Sequence, residues 1–497
     1  MPSEKRLPPN LVRNMNLTEP ILRYARLQPK QAAVIDGART ITYGELADLV
    51  RRTAAHLRAL DVRPGQQVGI CLRDNWYHIV AFLAVARLGA VAVQIDWRSR
   101  AEERLRVATA FALGLTIIER GEELGPRIRT VPVDEEWHLA VASAPHLAEL
   151  PDDWSSPLAA LASSGTTGMP KFTLATHLHL YLHCAAYLEV VPSTKQQRVL
   201  LTLPLYFSAG RMACLAHFLR GDTIILGPAL FTAAEYVDVA ARHQVTAGFI
   251  VPSLVRELLP IQQTGKPLFP DMQILISGGA PLFVEEKREA LRKLTPRFHE
   301  MYGTAATGPV ASLRPEDMVE RPTSVGRPFS LLDIDVADDD GRPLVAGEAG
   351  RLRCRGPGLT SPIAGLEGSK QGFENGWHYP GEIAALDSRG YIHLQGRTSE
   401  VIFRGGAKIF PTEVEAVLLD HEAVADAAAI GRKTAANEEE LVAFVIARRA
   451  ITPGELIGHC RARLSPYKVP RNIYIVSELP RTSSGKINKR ALTENLK

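Results

Sequence analysis

Short apolar runs alternating with amphipathic stretches extend through this chain as far as Gly396-Arg397, and that alternation constrains the fold more than any other feature. Val68 to Leu72, just after Pro64-Gly65, reads as a buried strand. Further strands are predicted at Val199 to Leu203, Thr223 to Leu226, Gly248 to Val251 and Ile274 to Ile276. Between them, Ala233 to His243 and Val284 to Leu294 have helical character, as does Tyr43 to Leu60 with Leu46, Leu49, Leu57 and Leu60 at helical spacing. Strands alternating with helices predict an α/β fold of layered, parallel sheets. The most apolar segment, Ile79 to Val93, is interrupted by Arg87 and Gly89. A membrane span needs about 20 mostly apolar residues, so this segment reads as a buried helix turning into a strand, and no integral membrane segment is expected.

After Gly396-Arg397 the pattern becomes that of a compact α+β unit: a helix at Pro411 to Leu419, a strand at Leu441 to Ile446, a helix opened by Thr452-Pro453 and a strand at Asn472 to Val476. The predicted organisation is therefore a large N-terminal domain of layered α/β subdomains, residues 1–398, followed by a small C-terminal α+β domain, residues 399–497. A length of 497 residues accommodates about three units of ~150 residues, consistent with subdomains inside the larger part.

Composition excludes several classes of function. Net charge is +4 from 58 basic and 54 acidic residues, and aromatic residues make up 6%, so neither an electrostatic footprint nor a stacking platform for nucleic acid is present. The five cysteines, Cys71, Cys184, Cys214, Cys354 and Cys460, are scattered and form no C-x-x-C pair. A disulfide framework or zinc site is not expected, and a reducing compartment fits. Met1 to Arg6 leads into prolines rather than an apolar run, which is not the pattern of a signal peptide. A cytoplasmic location is the expectation; the oligomeric state stays open, a dimer included.

The densest chemical signal is Ser163-Ser164-Gly165-Thr166-Thr167-Gly168-Met169-Pro170-Lys171. Glycines let backbone N–H groups converge on an anion, the hydroxyls add donors, and Lys171 supplies a countercharge. The order is not that of a G-x-x-x-x-G-K-[ST] loop. With the following Thr176-His177, it resembles the phosphate loop of the acyl-adenylate-forming superfamily, which holds acyl-CoA synthetases, nonribosomal adenylation domains and luciferases. Other motifs of that superfamily follow in its order: Leu88-Gly89-Ala90-Val91, Pro204-Leu205-Tyr206-Phe207, Ser277-Gly278-Gly279-Ala280-Pro281-Leu282, Met301-Tyr302-Gly303, Gly376 to Glu382, Arg397, Arg404-Gly405-Gly406, Pro411 to Glu415 and Pro480 to Ile487. The resemblance covers nearly the whole chain.

The resemblance implies a ligase that joins a carboxylic acid to CoA, using ATP and Mg²⁺, through an acyl-adenylate. Two negatively charged groups must meet in the first step, so positive charge and oriented donors are needed where charge develops. By the resemblance, Lys486 is the catalytic cation, and Lys171 and His177 are further catalytic candidates. Ser163, Ser164, Gly165, Thr166, Thr167 and Gly168 hold phosphates. Gly278, Gly279, Ala280, Tyr302, Gly303 and Thr304 receive the base and its surroundings, while Glu382 and Arg397 bind the ribose. Arg404, Gly405 and Gly406 line the path of the thiol once the small domain has rotated about a hinge at Ser399. Tyr206, Phe207, Ala209, Gly210, Val251 and Ala306 line the acid pocket. These are mostly apolar, which suits an aliphatic or aromatic monocarboxylate. Arg211, the nearby charge, is expected to point outward, because arginine is rarely buried.

The chain departs from the superfamily pattern at three places. Thr304-Ala305-Ala306 stands where Thr-Glu is usual, so Ala306 replaces the glutamate that helps hold Mg²⁺; which residues ligate the ion is left open. Glu382 replaces an aspartate, and Ser399 a charged hinge residue. The run Arg404 to Ile409 followed by Pro411 resembles CoA ligases more than peptide-synthetase modules, making CoA the expected acceptor. A separate carrier protein is the alternative, and a catalytically weak relative that binds nucleotide or acyl-CoA is a third reading motivated by Ala305-Ala306.

Overall fold

The apolar runs assemble into two twisted sheets that share one core. The computed structural model describes residues 16–147, 153–163, 171–192, 195–227, 232–261, 265–366, 369–404, 407–433, 439–481 and 487–494. One sheet has nine strands, in spatial order Arg327–Pro328, Gly308–Leu313, Phe298–Thr304, Ile274–Gly278, Ala247–Ile250, Arg198–Leu201, Thr223–Leu226, Ala32–Asp36 and Arg39–Thr42. Its six strands from Phe298–Thr304 through Ala32–Asp36 run parallel, and the edges are antiparallel. The second sheet has seven strands, ordered Ser361–Pro362, Lys171–Thr176, Pro157–Ser163, Val91–Gln94, Gln67–Cys71, Leu115–Glu119 and Thr130–Val133. Its parallel part is equally apolar, as sheets covered on both faces require.

Helices Trp76–Leu88, His177–Leu188 and Ser208–Arg220 belong to the largest core cluster, which joins Val68, Ile70 and Leu161 of one sheet to Val199, Leu201 and Ile274 of the other. Trp76–Leu88 is buried on every side from Tyr77 onward, which is why it carries no amphipathic stripe. The Asn75 side chain starts it by accepting from the Tyr77 and His78 amides. The following strand Val91–Gln94 confirms the helix-to-strand reading of this segment. Among the described residues, no helix is long and apolar enough to cross a membrane.

Three features depart from the sequence reading. Val284 to Leu294 is an α-helix only to Glu289; Ala290–Leu294 widens into a π turn closed by Thr295 N–H donating to the Ala290 carbonyl, which buries Ala290 and Leu294. Residues 333–397 form a six-stranded sheet, its pairings antiparallel, that the alternation argument did not contain. In the C-terminal part, Val424–Lys433 is a ten-residue strand paired antiparallel with Glu439–Ala447, which in turn runs parallel to Asn472–Ile475. Its Ala427-Ala428-Ala429 core has weak β preference, and cross-strand burial overrides that preference. Helices Pro411–Leu419 and Pro453–Arg461 pack on this sheet, the second begun by a Thr452/Glu455 capping box.

Candidate active site

A cleft of about 2730 Å³ opens at the carboxyl ends of the parallel strands of the nine-stranded sheet, where ligand sites of open α/β sheets lie. Gly278 ends one strand and Thr304 its neighbour. At Gly278 the two strands press together: a Cβ there would sit 2.4 Å from the Met301 carbonyl oxygen. Gly279, Ala280, Tyr302, Gly303 and Thr304 continue this wall.

The opposite wall comes from the six-stranded sheet. Its register places Glu382 directly across from Arg397, with Arg397 Nε 3.5 Å from Glu382 Oε1. Tyr302 Oη donates to Glu382 Oε2 at 3.1 Å, tying the two sheets together across the cleft. Burial and the adjacent Glu382 carboxylate push the Tyr302 hydroxyl well above its usual pKa, so it stays a protonated donor. Glu382 is only 8% exposed, yet its carboxylate lines the cleft. A buried carboxylate oriented by a tyrosine and an arginine, beside an aromatic ring, is a fitting receptor for a ribose and its base.

Phe207, Ala209, Met212, Phe249, Val251 and Ala306 line a largely apolar end of the cleft. Ala306 is 5% exposed, and its carbonyl accepts from Thr360 N–H at 2.9 Å. The hydroxyls of Thr304 and Thr307 are 2.9 Å apart, and Thr307 Oγ1 also donates to the Gly308 carbonyl. Among the described residues, no group of three or more His, Cys, Asp or Glu side chains could hold a metal ion. These residues fit a nucleotide base and ribose; they offer no carboxylate cage for magnesium, which would have to rest on phosphate oxygens.

Several sequence candidates lie elsewhere. His177 is 1% exposed at the start of its helix and lies outside the cleft; its Nδ1 accepts from Leu17 N–H at 3.1 Å, a buried structural contact rather than a catalytic pose. Tyr206 and Gly210 do not line the cleft, and Tyr206 Oη accepts from Arg98 Nη2 at 2.7 Å. Arg404 lies outside the cleft, its Nη1 donating to the carbonyls of Tyr467 and Val469. Arg211 is not outward: it is buried, at 3% exposure. Ser163 and Lys171 are register partners at the ends of adjoining strands. Ser164, Gly165, Thr166, Thr167, Gly168, Gly405, Gly406 and Lys486 lie outside the described residues. Arg481 and Ile487, the nearest described residues on either side of 482–486, are bridged and both line the cleft. Ser399 sits in a 3₁₀ turn, Thr398–Glu400, at the cleft edge.

Sequence reasoning missed His183, which lines the cleft and has Nε2 2.8 Å from the Gly358 carbonyl, so that Nε2 carries the proton. The signal was the buried helical spacing Leu180, His183, Cys184 and Tyr187.

A cleft between a large layered α/β part and a small α+β part is the architecture of adenylate-forming enzymes. The AMP-binding enzyme profile matches residues 21–363, and that of the AMP-binding enzyme C-terminal domain matches residues 413–486. The chain belongs to the AMP-binding enzyme family. It is 30% identical over 490 residues to a feruloyl-CoA synthase of an Amycolatopsis species, covering 96% of this chain and 98% of that protein. It is 29% identical over 480 residues to the 2-succinylbenzoate–CoA ligase of Bacillus subtilis, covering 95% and 97% respectively. The structure of the Bacillus subtilis o-succinylbenzoate CoA synthetase with its acyl-adenylate intermediate matches with a TM-score of 0.85 at 26% identity, over 95% of this chain and 97% of that one.

Proposed function

We propose that this protein joins a carboxylic acid to CoA in two steps, in a cleft that holds the nucleotide at Tyr302, Glu382 and Arg397 and the acid at Phe207, Met212, Val251 and Ala306. It is an AMP-forming acid–thiol ligase that uses ATP, Mg²⁺ and CoA. In the first step a carboxylate oxygen bonds to the α-phosphorus of ATP and pyrophosphate leaves. In the second the CoA thiol loses its proton, its sulfur bonds to the acyl carbon, and AMP leaves. The observation that carries the assignment of the cleft is the Tyr302–Glu382–Arg397 arrangement, held by strand register at the carboxyl ends of the parallel sheet.

The protein's part is binding and orientation. Glu382 accepts the two ribose hydroxyls with Arg397 beside it, and the ring of Tyr302 packs on the base. Magnesium, when bound with the nucleotide, neutralises phosphate charge. Lys486, Lys171 and the Ser163 to Gly168 segment supply positive charge and donors along the phosphates. The apolar acid end suits a monocarboxylate with an aromatic or aliphatic body. The domain boundary falls at Ser399, immediately after the last strand of the six-stranded sheet ends at Arg397 and before a separate hairpin, Ile402–Arg404 with Ala407–Ile409.

The test mixes the protein with ATP, Mg²⁺, CoA and a panel of aromatic, aliphatic and dicarboxylic acids. Pyrophosphate release is followed by colour assay and acyl-CoA by mass spectrometry. Turnover of aromatic or aliphatic monocarboxylates is the expected outcome, and turnover of dicarboxylates alone would overturn the acid class. Acyl-AMP without acyl-CoA would shift the acceptor to a carrier protein.

A further inference from the structure

Phe207 is presented to the acid end by a loop, Leu203 to Phe207, folded under the first turn of helix Ser208–Arg220, which carries Ala209. The fit is tight: a Cβ on Gly210 would lie 2.4 Å from the Pro204 carbonyl oxygen and 2.6 Å from that of Leu203. Polar anchors hold the loop from three sides. Leu205 N–H donates to Asp74 Oδ1 at 2.6 Å, and Tyr206 Oη accepts from Arg98. From behind, Arg211 Nη1 donates to the carbonyls of Leu205 at 3.1 Å and Tyr206 at 3.2 Å.

Arg211 is an unusual choice for that place. Among the described residues, no acceptor reaches its Nε or Nη2 and no carboxylate pairs with it. Its guanidinium lies 5.3 Å from the centre of the Phe82 ring and borders a void of about 10 Å³ otherwise walled largely by Ile79, Leu83, Leu205 and Leu215. Burying a cation without a countercharge costs free energy that an apolar side chain of the same volume would not incur. An apolar side chain there would, however, leave two inward-facing carbonyls unpaired. A guanidinium reaches both with one nitrogen from a rigid plane, which an ammonium on a flexible stem reproduces poorly.

We propose that Arg211 is a positioning residue for acid selection: by clamping the Leu205 and Tyr206 carbonyls it fixes how far Phe207 projects into the acid end of the cleft, so it governs which acids fit without touching them. This rests on the reading that the Phe207 end of the cleft receives the acid.

Arg211→Met and Arg211→Lys in the full chain test it with two readouts. Hydrogen exchange of the peptide spanning residues 202–210 needs no substrate; Arg211→Met is expected to speed it about tenfold, as loss of an anchoring interaction does locally, and to leave the Tyr302 and Glu382 peptides unchanged. ATP–pyrophosphate exchange is then measured with benzoate, cinnamate and octanoate. The KM of the preferred acid should rise about tenfold and the preference among the three acids should narrow, with the ATP KM changed by less than about twofold. Lysine should recover only part of both effects. An unchanged local exchange rate in folded Arg211→Met overturns the proposal. So does faster exchange with the acid preference intact, which marks a merely structural residue. If the methionine variant does not fold, Asp74→Ala removes another anchor of the same loop and should narrow the preference likewise; an unaltered preference there overturns the proposal. Failure of all three acids with the parent protein tells against the function assigned to the cleft, and the exchange comparison still decides whether Arg211 holds the loop.

Discussion

Tyr302 and Glu382 come from different sheets, and the hydrogen bond between them fixes the geometry of this end of the cleft. Removing the hydroxyl in Tyr302→Phe should raise the ATP KM three- to tenfold, about 1 kcal/mol, with little change in kcat, because the aromatic ring stays. Titrating ATP at saturating acid checks this; an unchanged KM would detach the hydroxyl from nucleotide binding. Ala306 is the second informative residue. It is buried in the turn Thr304-Ala305-Ala306-Thr307, which carries no acidic side chain and whose two threonine hydroxyls engage each other. Ala306→Glu should lower the Mg²⁺ concentration needed for half-maximal pyrophosphate release. A rise, or no change, would show that the turn has reorganised around the alanine.

At the scale of elements, the site depends on two backbones meeting at Gly278 and on how the helices are started. Gly278→Ala forces a methyl group to within 2.4 Å of the Met301 carbonyl unless the strands separate, so a loss of about 1–3 kcal/mol in stability, together with weaker ATP binding, is expected. Thermal unfolding with and without ATP measures both. Thr452→Ala removes the side-chain acceptor that starts helix Pro453–Arg461 and should cost about 1 kcal/mol. Hydrogen exchange should rise in residues 453–461 and stay constant in the two large sheets, because this helix packs only in the C-terminal core. The prolines and threonines that open the helices at Pro411 and Pro453 were plain in the sequence. The strand Val424–Lys433 was not, since three consecutive alanines carry no period-2 pattern and only pairing with Glu439–Ala447 makes them a strand.

Across the whole molecule, His177, His183, His299 and His378 share one property: burial holds each down at a pKa of about 4. In the unfolded chain they titrate near 6.5. Above that value both states are neutral and the histidines leave stability independent of pH. Between about 6.5 and 4 the unfolded chain takes up protons that the folded one refuses, so stability falls as pH falls, by at most about 3 kcal/mol per histidine. Urea midpoints at pH 7.5, 6 and 5 should therefore decline in that order. Replacing His299 with asparagine should flatten the decline, and an unaltered slope would assign the acid sensitivity to other groups.

The chain's motifs and their order determined the class of enzyme through their resemblance to the acyl-adenylate-forming superfamily. Periodicity likewise determined the layered α/β architecture, since strands covered on both faces must be apolar throughout. What tertiary structure decided is which side chains face the cleft. Thr176-His177 reads the same whether the imidazole points to a nucleotide or to the Leu17 amide, and only the packing of the N-terminal helical segment turns it to Leu17. Arg211 has the composition of a surface residue, yet the loop folded beneath its helix supplies two carbonyls that draw it inside. The antiparallel sheet of residues 333–397 leaves local traces, in the alternations Ile334-Asp335-Val336 and Leu352-Arg353-Cys354, yet only folding joins the hairpin of Glu382–Leu386 and Ile392–Arg397 to the strand Ala349–Arg355. Its register alone brings Glu382 opposite Arg397. A local pattern records which elements form, whereas the direction a side chain takes depends on partners that the chain brings near only after folding.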